Sequence, residues 1–171
     1  MSEARSGEEQ RRRTMLCWLP LATGAVVLLL CWLALELALT ANGATCFGGF
    51  GLETVGDSLA RDIPVGPVLA LLVYVGVSLA PFLLLSGCTR LAARSRTTRF
   101  LAVQAATGTT LVSLYDVLGY VAAYSDLHDG GFLCDLAFEL VPVGGLVAGA
   151  CAVVVGSLAA LVVEWRRRAP S

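Results

Sequence analysis

Lysine is absent from this 171-residue chain, and histidine, isoleucine and asparagine occur once each, as His128, Ile63 and Asn42. Without lysine there is no Gly-Lys-Ser/Thr ending, so the Gly-rich stretch from Cys46 to Gly51 is not a phosphate cradle of the P-loop kind. Nucleotide binding is therefore not expected. One histidine and no repeated ligand spacing leave the polar run Ser125 to Asp129, with Cys134 and Asp135 after it, as a solvated acidic loop rather than a metal site. No Cys-x-x-Cys pair occurs among the six cysteines, which removes the usual signature of a dithiol redox centre. Charge is scarce as well, at 15% of residues, too little for an ordinary soluble domain.

What the chain does have is apolar length. It is 57% hydrophobic, with a mean hydropathy of +0.77. A run of about 18 or more apolar residues can cross the hydrocarbon of a bilayer, and four such runs stand between the clusters of charge. Together they predict an all-α integral membrane protein, a four-transmembrane-helix bundle. The spans are placed at about 15–38, 64–86, 100–124 and 140–165, within a single membrane domain covering 15–165. A polar and basic tail, 1–14, and a basic tail, 166–171, flank it and are expected to be flexible. The short loops leave no room within these residues for a separate soluble head. A cleaved signal peptide also fits a basic segment ahead of an apolar one, with small residues at Ala41 to Ala44. The first apolar run well exceeds the usual 7–15 or so residues, so an uncleaved anchor is expected.

Pro64 and Pro67 suit the first turn of a helix, and Pro81 should kink the second span. The third span is the least hydrophobic and is expected to lie against its neighbours. In the first outer loop, Leu52, Val55 and Leu59 recur at helical spacing, with Asp57 and Arg61 four apart, as in a short amphipathic surface helix.

Basic residues orient the spans, because short loops rich in arginine stay on the cytoplasmic side. Arg5 and Arg11 to Arg13 precede span one, Arg90, Arg94, Arg96 and Arg99 lie between spans two and three, and Arg166 to Arg168 follow span four. Only Arg61 falls on the other side, where Glu53, Asp57, Asp62, Asp126, Asp129, Asp135 and Glu139 accumulate. Both termini are thus expected in the cytoplasm, with the protein multi-pass in the cell membrane. Arg90, Arg94, Arg96 and Arg99 should contact anionic lipid headgroups rather than nucleic acid.

Three sets of residues are candidates for a role. Cys46 and Cys134 fall one in each outer loop, in an oxidising compartment, and are a disulfide candidate that would tie the two loops together. Cys17, Cys31, Cys88 and Cys151 lie in spans or at the inner interface, where a cysteine acts as a small apolar residue. On span three, Gln104, Gly108, Val112, Asp116, Tyr120 and Tyr124 recur every fourth residue with Thr109 and Ser113 alongside, an intramembrane polar stripe. Asp116 should face the bundle interior and bond Ser113, a tyrosine such as Tyr74, or backbone; the alternative is a proton-linked or conducting role. Glu36 is expected near the outer interface. On span four, Gly145, Gly149, Ala148, Ala152 and Gly156 form a small-residue seam for helix packing. Quinone-linked disulfide-forming enzymes carry a Cys-x-x-Cys centre that is missing here. Claudin-like proteins carry a Trp-Gly-Leu-Trp stretch and two cysteines in a loop that here has no Trp and only Cys46.

The expected function is non-enzymatic: a structural, assembly or regulatory component of the membrane. No cofactor or metal is expected. The expected partners are the lipid bilayer and, beyond it, other membrane proteins or further copies of the chain. A small transporter using the span-three stripe and a membrane thiol-disulfide oxidoreductase are the alternatives. Thiol mapping of protein purified without reductant should find Cys46 bridged to Cys134 and the other four cysteines free. Two free outer-loop thiols would argue instead for the oxidoreductase or for a different topology.

Overall fold

In hydrocarbon no water is at hand for backbone N–H and C=O groups, and a long apolar run satisfies them within itself only as a helix. The computed structural model describes residues 2–41, 67–127 and 133–168. They form α1 (Ser2–Ala41), α2 (Pro67–Ala93), α3 (Thr98–Leu127) and α4 (Leu133–Arg168), with no strand among the described residues. Each holds a segment long and apolar enough to cross a membrane: Ser6–Ala34, Leu72–Ala93, Thr98–Ala122 and Val143–Arg168. Length and hydropathy thus point to a membrane protein. The proposed surface helix around Leu52 to Arg61, the Gly-rich stretch and Cys46 lie outside the described residues.

The helices run up, down, up and down, and their arginine-bearing ends gather at one end of the bundle. There the Arg13 guanidinium donates from Nη1 to the Ala93 carbonyl at 3.4 Å, closing an open carbonyl at the end of α2. The Thr98 hydroxyl donates to Glu9 Oε1 at 3.4 Å. The turn between α2 and α3 is tight, with the Arg96 N–H donating to the Ala92 carbonyl at 2.9 Å. Thr97 then caps α3, its Oγ1 accepting from the Phe100 N–H at 3.3 Å.

The polar segment 1–14, expected to be a flexible tail, is helical from Ser2 and continues α1 without a break. Two i,i+4 ion pairs, Glu8–Arg12 and Glu9–Arg13, both at 2.9 Å, supply local support. The contacts of Arg13 and Glu9 with α2 and α3 dock the segment onto the bundle. At the other terminus, Arg166 to Arg168 prolong α4 rather than forming a tail. They stand in its last turn, where cations complement the helix dipole.

Among the described residues α1 and α4 do not touch; each packs against both α2 and α3, and the α3–α4 contact is the most extensive. The third span is the most buried of the four, as its lower hydropathy requires. The central core joins Phe82 and Leu85 of α2, Val112 of α3 and Ala152 of α4, all fully buried. A second cluster nearer the arginine end joins Phe100, Leu101 and Ala160. Large apolar side chains such as Leu30, Leu72, Leu118 and Val147 point outward on all four helices.

Close approach sets the position of α4. A Cβ on Gly149 would stand 2.7 Å from the Pro81 Cβ and 2.9 Å from its Cα; one on Gly156 would stand 2.9 Å from the Gln104 carbonyl oxygen. Backbone cannot yield as a flexible side chain can, so Gly149→Ala and Gly156→Ala should each lower stability by about 1–3 kcal/mol. Thermal unfolding in detergent would measure this. Gly76→Ala, where a Cβ meets nothing within 4 Å, is the matched control and should leave the midpoint unchanged or raise it.

Candidate functional site

Polar side chains on a helix crossing hydrocarbon must find partners inside the bundle, and the four-residue recurrence on α3 turns one row of them toward α2 and α4. Gln104 and Asp116 on that row are 3% and 2% exposed. Twelve residues of helix separate them by about 18 Å along the axis. Between them the row passes through the apolar core that Val112 forms with Leu85 of α2 and Ala152 of α4, with Thr109 and Ser113 beside it.

Near the arginine end, the Gln104 amide donates from Nε2 to Ser157 Oγ on α4 at 3.0 Å. Its Oε1, and the Thr109 hydroxyl, are buried with no hydrogen-bond partner. Ser113 is half-buried. Toward the far end, Tyr120 gathers two other helices: Trp32 of α1 donates from Nε1 to the Tyr120 hydroxyl at 2.6 Å. The hydroxyls of Tyr120 and Tyr74 lie 3.2 Å apart. The Trp32 and Tyr74 rings stack with centroids 5.4 Å apart and planes 15° from parallel. Three helices are thereby cross-linked by one tyrosine oxygen. Tyr124 lies on α3, with its side chain outside the described residues.

Asp116 is not part of that network. The Tyr74 hydroxyl, one of its expected partners, engages Tyr120 instead, and Asp116 Oδ2 is buried without a hydrogen-bond partner. The Tyr74–Tyr120 contact also fixes the register of the antiparallel α2–α3 pair, which agrees with Leu85 lying against Gly108. One turn toward the arginine end from that contact, Asp116 on α3 falls level with Ser78 on α2. Ser78 Oγ is likewise buried with no partner. Pro81, one turn further along α2, has no N–H to give the Val77 carbonyl, its i−4 acceptor. Gly145 of α4 closes the layer: its Cβ position is 3.5 Å from Pro81 Cγ and 3.7 Å from Asp116 Oδ1. Chemically the layer is rich in oxygen acceptors and poor in donors.

On α4, Gly145, Gly149, Ala152 and Gly156 are buried and Ala148 half-buried. Their neighbours are Pro81, Asp116 and the Gln104 backbone of the same chain. Arg90, Arg94, Arg96 and Arg99, around the turn from α2 to α3, do not act as one group. Arg90 lies over the Trp18 ring, 3.7 Å from its centroid, whereas Arg96 reaches Glu164 on α4 at 3.9 Å and the Phe100 ring at 5.0 Å. Arg99 lines a crevice between α3 and α4 with Arg167. Cys17, Cys31, Cys88 and Cys151 are free. Cys134 stands near the start of α4, with its side chain outside the described residues as Cys46 is, so the proposed bridge is not placed. The side chain of Glu36 is outside them too. Among the described residues no group of three His, Cys, Asp or Glu side chains is arranged to hold a metal.

Trp32 and Ser78 are not among the residues that sequence reasoning singled out. An indole N–H within an apolar run, which needs an acceptor when buried, was the available signal. No protein-family model, curated protein or solved structure matches the chain.

Tyr120→Phe removes the acceptor of Trp32 Nε1 and the contact with Tyr74. It should cost about 1–3 kcal/mol, read as a lower thermal midpoint together with a shifted tryptophan emission. An unchanged midpoint would mean that the three-helix link contributes nothing.

Proposed function

We propose that this chain is a four-span protein of the cell membrane, with both termini cytoplasmic, that organises, assists or regulates other membrane components rather than catalysing a reaction. One observation carries this reading: Phe82, Leu85, Val112 and Ala152 form a fully buried apolar layer where a conducting path through the bundle would have to run. The interior is devoted to holding the helices together, which leaves the outward faces, lined with large apolar side chains, as the surface that meets lipid and partners. A Cys46–Cys134 bridge would add a covalent clip at the end opposite the arginines. In the chain-entropy model, closing so long a loop stabilises by roughly 4 kcal/mol.

The acceptor-rich layer at Asp116, Ser78 and Val77 favours one second reading, a small transporter or channel component that takes up a proton or cation there. Reconstituted vesicles separate the two. The structural role predicts no proton or alkali-cation flux above that of empty vesicles, and an Asp116→Asn variant that folds as the parent does. Flux abolished by Asp116→Asn would establish the transporter. Topology is tested separately, with single cysteines in a cysteine-free background. Ser95→Cys should react with an impermeant maleimide only from the cytoplasmic side, and Ser58→Cys only from the other.

A further inference from the structure

At the arginine end, α1 and α2 enclose a crevice of about 490 Å³ whose walls include Glu9, Arg13, Trp18, Arg90 and Arg94. Its charge does not balance. Glu9 is taken by Arg13 at 2.9 Å, while Arg90 and Arg94 have no carboxylate within ion-pair distance among the described residues. Three guanidiniums against one carboxylate leave the crevice with an excess of two positive charges. The donors are also partly held in place. Arg90 is fixed over the Trp18 ring at 3.7 Å. Arg13 is anchored through both terminal nitrogens, to Ala93 and Glu9, yet its Nε is buried with no hydrogen-bond partner.

Planar, forked guanidiniums suit phosphate oxygens, and ordering them beforehand reduces what is lost on binding. The surroundings are those of a membrane interface. Trp18 is half-exposed, and Met15 and Leu91, each next in sequence to a lining residue, are 57% and 69% exposed apolar side chains. A free phosphate has no use for such neighbours, whereas the acyl chains of a lipid do. The corresponding crevice between α3 and α4 is smaller, about 260 Å³, and Glu164 lies in its wall beside Arg99 and Arg167. That carboxylate also pairs with Arg96 at 3.9 Å and Arg168 at 3.5 Å, so this crevice is basic too, and it differs from the first in its smaller volume and in having no tryptophan among its lining residues.

We propose that the α1–α2 crevice is a binding site for the phosphodiester headgroup of an anionic phospholipid, held by Arg13, Arg90 and Arg94. Basic pockets between membrane helices take such headgroups. The site rests on the membrane-spanning reading above, but not on which end is cytoplasmic.

The test uses the full chain in a neutral detergent, with thermal unfolding followed at fixed ionic strength. Short-chain phosphatidylglycerol, short-chain phosphatidylcholine and inorganic phosphate are titrated in turn. Phosphatidylglycerol should raise the midpoint saturably and the other two should not. Arg90→Gln combined with Arg94→Gln should weaken that response by about tenfold, while Arg99→Gln combined with Arg167→Gln should leave it intact. If the first pair lowers the starting midpoint, Arg94→Gln alone serves, since the Arg94 side chain makes no hydrogen bond or ion pair within the described bundle. Equal stabilisation by inorganic phosphate would overturn the lipid assignment in favour of a free-anion site. An equal response from both double variants would overturn the crevice in favour of diffuse surface charge. A carbonate wash of native membranes separates the two failures. Recovery of the chain in the supernatant would remove the membrane reading and this site with it, whereas loss of lipid selectivity in a chain that stays with the pellet removes the site alone.

Discussion

The approach of α4 to Pro81 on α2 and to the Gln104 backbone on α3 is the contact on which the remaining geometry depends. Gly149 and Gly156 leave these backbones room to meet, and a single added carbon at either would stand under 3 Å from main-chain or proline atoms. In hydrocarbon there is no solvent-driven force pressing helices together, so intimate van der Waals contact must take its place. With α4 seated, Ala152 meets Leu85 and Val112, and the central apolar layer closes. α1 sits on the opposite flank, where Gly24 makes room for the Phe82 ring.

That closure dictates what the polar residues can do. Tyr120 lies beyond the layer and serves as a joint, accepting from Trp32 and meeting Tyr74, so that α1, α2 and α3 are locked by oriented hydrogen bonds in addition to packing. Asp116, one turn away, receives none of this support. It stands level with two groups of α2 that are also short of partners, the Ser78 hydroxyl and, one residue before it, the carbonyl released by Pro81. A bundle that was only a scaffold could dispense with such a layer, which is why the transporter reading retains one specific observation in its favour.

The arginine end shows how packing divides a charge cluster that looks uniform along the chain. Arg90 in the last turn of α2 and Arg94 just after it line the crevice with α1, whose own arginine, Arg13, belongs to a segment that is helical and docked. Arg96 and Arg99 belong to the turn and the start of α3 and lean toward Glu164 on α4. One end of the molecule therefore carries two basic crevices, each with one acid in its wall, the larger with three lining arginines and the smaller with two.

Apolar run length, the single-sided distribution of arginine and the every-fourth-residue row on α3 are properties of the chain alone. They were enough to read four helices, their approximate limits and the burial of Asp116, because hydrocarbon permits so few solutions for backbone and charge. The helicity of Ser2 to Arg13 was missed, since the Glu8–Arg12 and Glu9–Arg13 pairs give a polar segment only local support and its docking on Ala93 and Thr98 is a tertiary contact. Nor could the sequence tell that Tyr74 would meet Tyr120 and leave Asp116 Oδ2 without a hydrogen-bond partner among the described residues, or that Trp32 would donate inward. Those choices turn on the relative register of helices distant in the chain, and register is settled only when Gly149, Gly156 and Pro81 bring the helix surfaces into contact.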